Sequence, residues 1–150
     1  MQSKECVIVW LNRYRENETA LDDILERIAA LRSRLESPKS AAITGMPHGN
    51  RSENDPFYRG LAKIDDLEAR AQDLLVVSRT LYRELNDNID KITGRGGADQ
   101  RCVLRCRYID GFEWNVVCEV LFSRKPDFDD KLETYLRRTF RIHNEALKSL

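Results

Sequence analysis

An apolar seam of seven-residue period opens the chain, running from about Lys4 to Glu36. Set in heptads, its a positions are Val7, Tyr14, Leu21, Ile28 and Leu35, and its d positions are Trp10, Asn17, Ile24 and Leu31. A seam held over four heptads commits this segment to one long helix whose stripe must be covered by another helix. Asn17 is its one polar member. A buried Asn fixes register at a cost in stability; a solvated position beside Glu16 and Glu18 is the alternative. Pro38 stops the helix.

A second long helix supplies the cover. Asp55 is placed to cap it, Pro56 suits its first turn, and Gly94 ends it after about Thr93. Its stripe is Phe57, Leu61, Ile64, Leu67, Ala71, Leu74, Leu81, Leu85, Ile89 and Ile92. Each helix is roughly 50 Å long at about 1.5 Å per residue. Joined through 37–55, a stretch of small, polar and turn-forming residues that reads as a mobile loop, the two predict an antiparallel coiled-coil hairpin. A two-helix hairpin buries little by itself, so a homo-oligomer through the coiled coil is expected.

Composition supports an all-α chain. A third of the 150 residues are charged, and there are only seven glycines and four prolines. No apolar run is long enough to span a membrane, and the N-terminal residues lack a signal-peptide layout, so the expectation is a cytoplasmic protein. The four cysteines form no C-x-x-C pair. Cys102 and Cys106 share a helical face and read as core residues. His143 reads as a packed, hydrogen-bonded residue rather than a base. No catalytic constellation, metal set or cofactor motif stands out, and GRGGAD at 94–99 has no preceding strand and no following Gly-Lys-Ser/Thr. The expectation is therefore a protein that is not an enzyme and carries no cofactor.

That glycine-rich stretch is the expected boundary between a hairpin domain, 1–96, and a C-terminal domain, 97–150. The C-terminal domain divides into three amphipathic blocks. A helix over about Asp99–Ile109 should bury Val103, Leu104 and Tyr108. One over about Glu113–Phe122 should bury Trp114, Val117, Cys118 and Leu121. A third starts near Asp129 and gathers Leu132, Leu136, Phe140, His143, Leu147 and Leu150 on one side, with Thr134, Arg137, Arg138, Arg141, Asn144 and Lys148 opposite. Helix, glycine turn, helix, connector and arginine-bearing helix is the order of a helix-turn-helix, which sets its last helix in the DNA major groove. Guanidinium groups suit phosphates and guanine edges. The bland alternative is a solvated charged face. Net charge is zero, and the cluster Asp127, Asp129, Asp130 and Glu133 lies just before the basic stretch.

Arg107-Tyr108, Gly111, Trp114, His143 and Ala146-Leu147 fall in an order that resembles the C-terminal region of small phage and prophage proteins related to sigma factor region 4, the ArpU-like transcriptional regulators. The long N-terminal helices and Gly45-Met46-Pro47 are similar to that family as well. The resemblance implies a three-helix, sigma region 4-like helix-turn-helix domain acting in transcription, with its last helix on DNA. Two positions depart from the family pattern. Glu113 stands where Ser or Thr often caps the second helix, and extra residues at about 123–133 leave Leu136 at the capping position of the third. Either the third helix begins two turns early or the connector bulges.

The resulting expectation is a DNA-binding transcription regulator of phage origin. Double-stranded DNA is its main partner, contacted through Lys131, Thr134, Arg137, Arg138, Thr139, Arg141 and Lys148, and RNA polymerase is a further one, contacted through the helical hairpin. Two alternatives stay open: an interaction module that grips polymerase or a phage protein without binding DNA, and a small terminase-like DNA-packaging subunit.

Overall fold

The computed structural model describes residues 3–36 and 55–150. The described chain is all-α. Its five α-helices are α1 (Lys4–Glu36), α2 (Pro56–Asp90), α3 (Gly97–Leu104), α4 (Trp114–Phe122) and α5 (Leu132–Ser149), and a π-helical turn (Arg105–Ile109) continues α3. No described residue is in a strand. The segment expected to loop between α1 and α2 lies outside the described residues, as does Gly45-Met46-Pro47, but the start of α2 is as expected. The Asp55 carboxylate accepts a hydrogen bond from the Phe57 N–H at 3.0 Å, with Pro56 as the first helical residue.

Two compact units emerge, one of residues 18–77 and one of residues 1–17 with 78–150. In the first of these, Leu21, Ile24 and Ile28 of α1 bury against Ile64, Leu67 and Ala71 of α2, flanked by Leu31, Leu35, Leu74 and Leu75. Contacts run in opposite chain directions: Leu35 closes on Gly60, and Arg32 pairs with Glu68. The two helix segments are therefore antiparallel here. Every heptad position of α1 is buried or half-buried, Asn17 included. Leu61, a member of the α2 stripe, is an exception at 38% exposure.

The other unit holds a core that the heptads do not describe. Leu11, fully buried, is neither an a nor a d residue. It packs with Val7, Leu85, Ile89, Ile92, Leu104, Tyr108, Ala146 and Leu147. A helix covered by more than one neighbour needs a stripe wider than a coiled-coil seam. This core also corrects the expected boundary near residue 96. The glycines there bend the backbone, with φ of 92° at Gly94 and 79° at Gly96, but residues on both sides of them share one apolar cluster.

Gly111 ends the π turn. Its φ of 73° belongs to the left-handed region, and the Phe112 N–H donates to the Cys106 carbonyl at 2.9 Å across it. The Asp110 N–H donates to the Arg105 carbonyl at 2.9 Å, the i to i+5 bond that widens the helix by one residue.

Helix α5 does begin early, at Leu132, but by about one turn before Leu136 rather than two. The connector between α4 and α5 folds as successive turns, with N–H donors of Lys125, Phe128 and Lys131 closing on the carbonyls of Phe122, Lys125 and Asp127. Phe128 is buried against Cys118 and Phe122. The Tyr135 ring lies 5.0 Å from Phe122 and 5.9 Å from Phe128. Helix α5 starts at Leu132, three residues after the expected Asp129. Phe128→Ala should therefore lower unfolding stability by about 3 kcal/mol, as expected for a buried ring truncated to a methyl. A Phe128→Ala variant unfolding in urea with the wild-type midpoint would show the connector to be unpacked.

Candidate nucleic-acid interface

Helix α5 is amphipathic in the manner its sequence predicts, with a rotation in detail. Thr139, His143, Ala146 and Leu147 are its buried residues, and Tyr135, Leu136 and Ile142 are half-buried. Of the expected inward set, Leu132, Phe140 and Leu150 are exposed at 46%, 38% and 38%. The inward line passes through Thr139 and Ala146 instead, small residues that let α5 approach its neighbours closely. Thr139 was expected to face DNA. The structure corrects this, since the residue is fully buried and its hydroxyl donates to the Tyr135 carbonyl at 2.9 Å.

The seat of α5 is aromatic. The Tyr108 hydroxyl and His143 Nε2 are 2.8 Å apart. Trp114 meets His143 edge-on at 4.8 Å and Phe140 at 5.0 Å. The Arg107 guanidinium lies 4.9 Å from the Trp114 ring and donates to the Phe112 carbonyl at 2.9 Å. The Arg107, Tyr108, Trp114 and His143 picked out in the sequence thus form one packed cluster. Burial, reinforced by Lys4 and Arg107, pushes the His143 imidazole from 6.5 down to about 4. Burial likewise raises the Tyr108 hydroxyl. At neutral pH the imidazole that shares this hydrogen bond with Tyr108 is therefore neutral. Cys106 lies in the apolar cluster with Val103 and Val117, its Sγ 3.9 Å from that of Cys102. Burial pushes its thiol up to about 12, so it stays protonated.

The outward face of α5 carries Thr134, Arg137, Arg138, Arg141 and Lys148, all exposed. Arg137 reaches back to Glu133 at 2.6 Å, one helical turn away, so that part of its charge is answered. Arg138 stands 5.3 Å from the Phe122 ring centre. Arg141 and Lys148 form no ion pair among the described residues. Asn144 is drawn aside, its side chain accepting from Lys4 Nζ at 2.6 Å. Lys131, at the start of α5, pairs with Asp127 at 3.3 Å. The Tyr135 hydroxyl donates to that same carboxylate at 2.6 Å and holds it below its ordinary range. Asp129 and Asp130 are exposed beside it. The predicted set therefore separates into a cationic ridge (Arg137, Arg138, Arg141 and Lys148), a tied residue at an acidic end (Lys131) and a core residue (Thr139).

Two further cations belong near this ridge. Arg124 and Lys125 are exposed in the turn directly after Phe122, the ring beside which Arg138 stands. Their sequence signal was their place in the connector, a segment whose path the chain alone does not give. Glu113 supplies no side-chain cap to α4, as its weak capping chemistry suggested. Among the described residues no group of three or more His, Cys, Asp or Glu side chains is placed to hold a metal. None of the described helices is long and apolar enough to cross a membrane. No protein-family model matches the chain, and neither the curated proteins nor the solved structures yield a match.

The His143 site predicts a pH response. Its folded-state pKa of about 4 lies below the unfolded value of 6.5. Between these values the unfolded chain binds the extra proton. Stability from the neutral imidazole is therefore complete above pH 6.5 and is lost as pH falls toward 4. After discounting for solvent screening the loss is about 1–2 kcal/mol. Thermal melts of the wild-type chain and His143→Gln should diverge in slope across that window. Parallel profiles would mean that His143 titrates normally.

Proposed function

We propose that the chain is a DNA-binding transcription regulator of phage or prophage origin, built like sigma factor region 4, with α5 as its DNA-facing helix. The observation that carries this reading is the division of α5. One side is committed to the core, while Arg137, Arg138, Arg141 and Lys148 stand in solvent on the other. Arg137, Arg141 and Lys148 recur at helical spacing, so they present one line of guanidinium and ammonium groups to a phosphate backbone or groove edge. Arg124 and Lys125 extend the positive field.

The N-terminal end of α5, where groove-reading side chains commonly sit, is acidic. Contact therefore falls on the middle and C-terminal turns. Phosphate attraction makes up much of the affinity and base reading little, so binding is steeply salt-dependent. The acidic connector, tied by Tyr135 and Lys131, favours a second reading, in which this surface meets a basic protein partner, such as a polymerase subunit, rather than DNA.

Gel-shift titrations separate the two. Arg137→Ala/Arg141→Ala should weaken duplex binding at least tenfold and reduce the slope of log affinity against log salt by about two, one for each phosphate left without its guanidinium. Unchanged affinity and slope in the double variant would remove α5 as the DNA-facing helix. Absence of any duplex binding at low salt would favour the protein partner.

A further inference from the structure

Between α1 and α2, in the unit of residues 18–77, runs a groove of about 410 Å³. Leu31 and Leu67 lie on its floor, and its walls carry Arg27, Arg34, Lys63 and Arg70 against a single carboxylate, Asp66. None of these four cations forms an ion pair among the described residues.

Charge along this face is ordered. Asp23 lies one turn before Arg27, and Asp73 one turn after Arg70; all four are exposed. Since α1 and α2 are antiparallel here, the two aspartates share one level and the two arginines the next. On α1, Asp23 and Arg27 stand two residues either side of Leu25, and the exposed Ala20 and Ala30 stand five either side. On α2, Arg70 and Asp73 flank the midpoint of Ala71 and Gln72. Carried along the helices, the register set by Leu35–Gly60 and Arg32–Glu68 brings Leu25 level with about that midpoint. Both helices thus invert their charge about one common level. A two-fold axis across the helices makes this same demand, since each patch must then complement itself.

We propose that this face is the interface of a two-fold dimer, with α1 antiparallel on α1 of a second copy and α2 on its α2. Asp23 of each copy faces Arg27 of the other, and Asp73 faces Arg70. Ala20 opposite Ala30 allows the backbones to close in. Val77, one turn beyond Asp73 and 45% exposed, comes down over the floor beside Leu67 of the second copy and fills the groove. Exposed ion pairs contribute little singly, so their role is to set register and exclude the parallel arrangement, while the filled groove supplies the apolar contact. This dimer depends on the 18–77 unit alone and not on the DNA reading, so either can fail without the other.

Sedimentation velocity on the full chain tests it. The wild-type chain should be a dimer. Asp23→Arg and Arg27→Asp should each weaken self-association at least tenfold, because each sets like charges across the axis. Mixing the two single variants should restore dimers as heterodimers, and the double exchange Asp23→Arg/Arg27→Asp should restore homodimers. Unaltered helicity by circular dichroism shows that the variants fold, and Arg70→Asp mixed with Asp73→Arg offers a second such pair. A monomeric wild-type chain, a dimer indifferent to single reversals, or reversed variants that do not recombine would each overturn the proposal.

Discussion

The seating of α5 is the constraint on which the rest depends. Thr139, His143, Ala146 and Leu147 are buried on one side of this helix. Tyr108 from the π turn and Trp114 from α4 grip the His143 ring between them. Once that side is fixed, the 3.6-residue period leaves Arg137, Arg141 and Lys148 no position but the surface. The grip is chemical as well as steric. A charged imidazole among Tyr108, Trp114, Lys4 and Arg107 would be unfavourable, so the fold favours the neutral form.

Much of this was legible in the chain. Periodicity gave the all-α class, and the outward arginines followed from angles alone. Asp55 and Pro56 marked the start of α2, and Val103, Leu104, Tyr108, Val117 and Cys118 are buried as their spacing required. What was not legible depended on tertiary packing. Leu11 lies off the heptad seam and becomes visible as core only when Leu104 and Leu147 are known to lie beside it. Thr139 stood among the residues expected to contact DNA. Its hydroxyl is satisfied by the Tyr135 carbonyl, which allows full burial. The order of Arg107 and Trp114 in the chain hinted that they belong together, but not that the guanidinium would lie over the indole.

The connector shows the same limit from another side. SRKPDFDD reads as polar insertion, and its one apolar residue, Phe128, decides the path. Burying that ring folds the segment into turns and brings Asp127 to the Tyr135 hydroxyl. An acidic end is thereby fixed at the start of α5, followed by a basic ridge. For a duplex, this polarity favours approach through the later turns of the helix. It also gives phosphate repulsion a role in orienting any complex.

The most direct measurement is an amide chemical-shift map of the labelled chain titrated with a short duplex at low salt. The account predicts that the changes concentrate at Thr134, Arg137, Arg138, Arg141 and Lys148 and spread to Arg124 and Lys125, with Val103, Tyr108 and His143 little moved. Changes confined to α1 and α2, or none at saturating duplex, would contradict it.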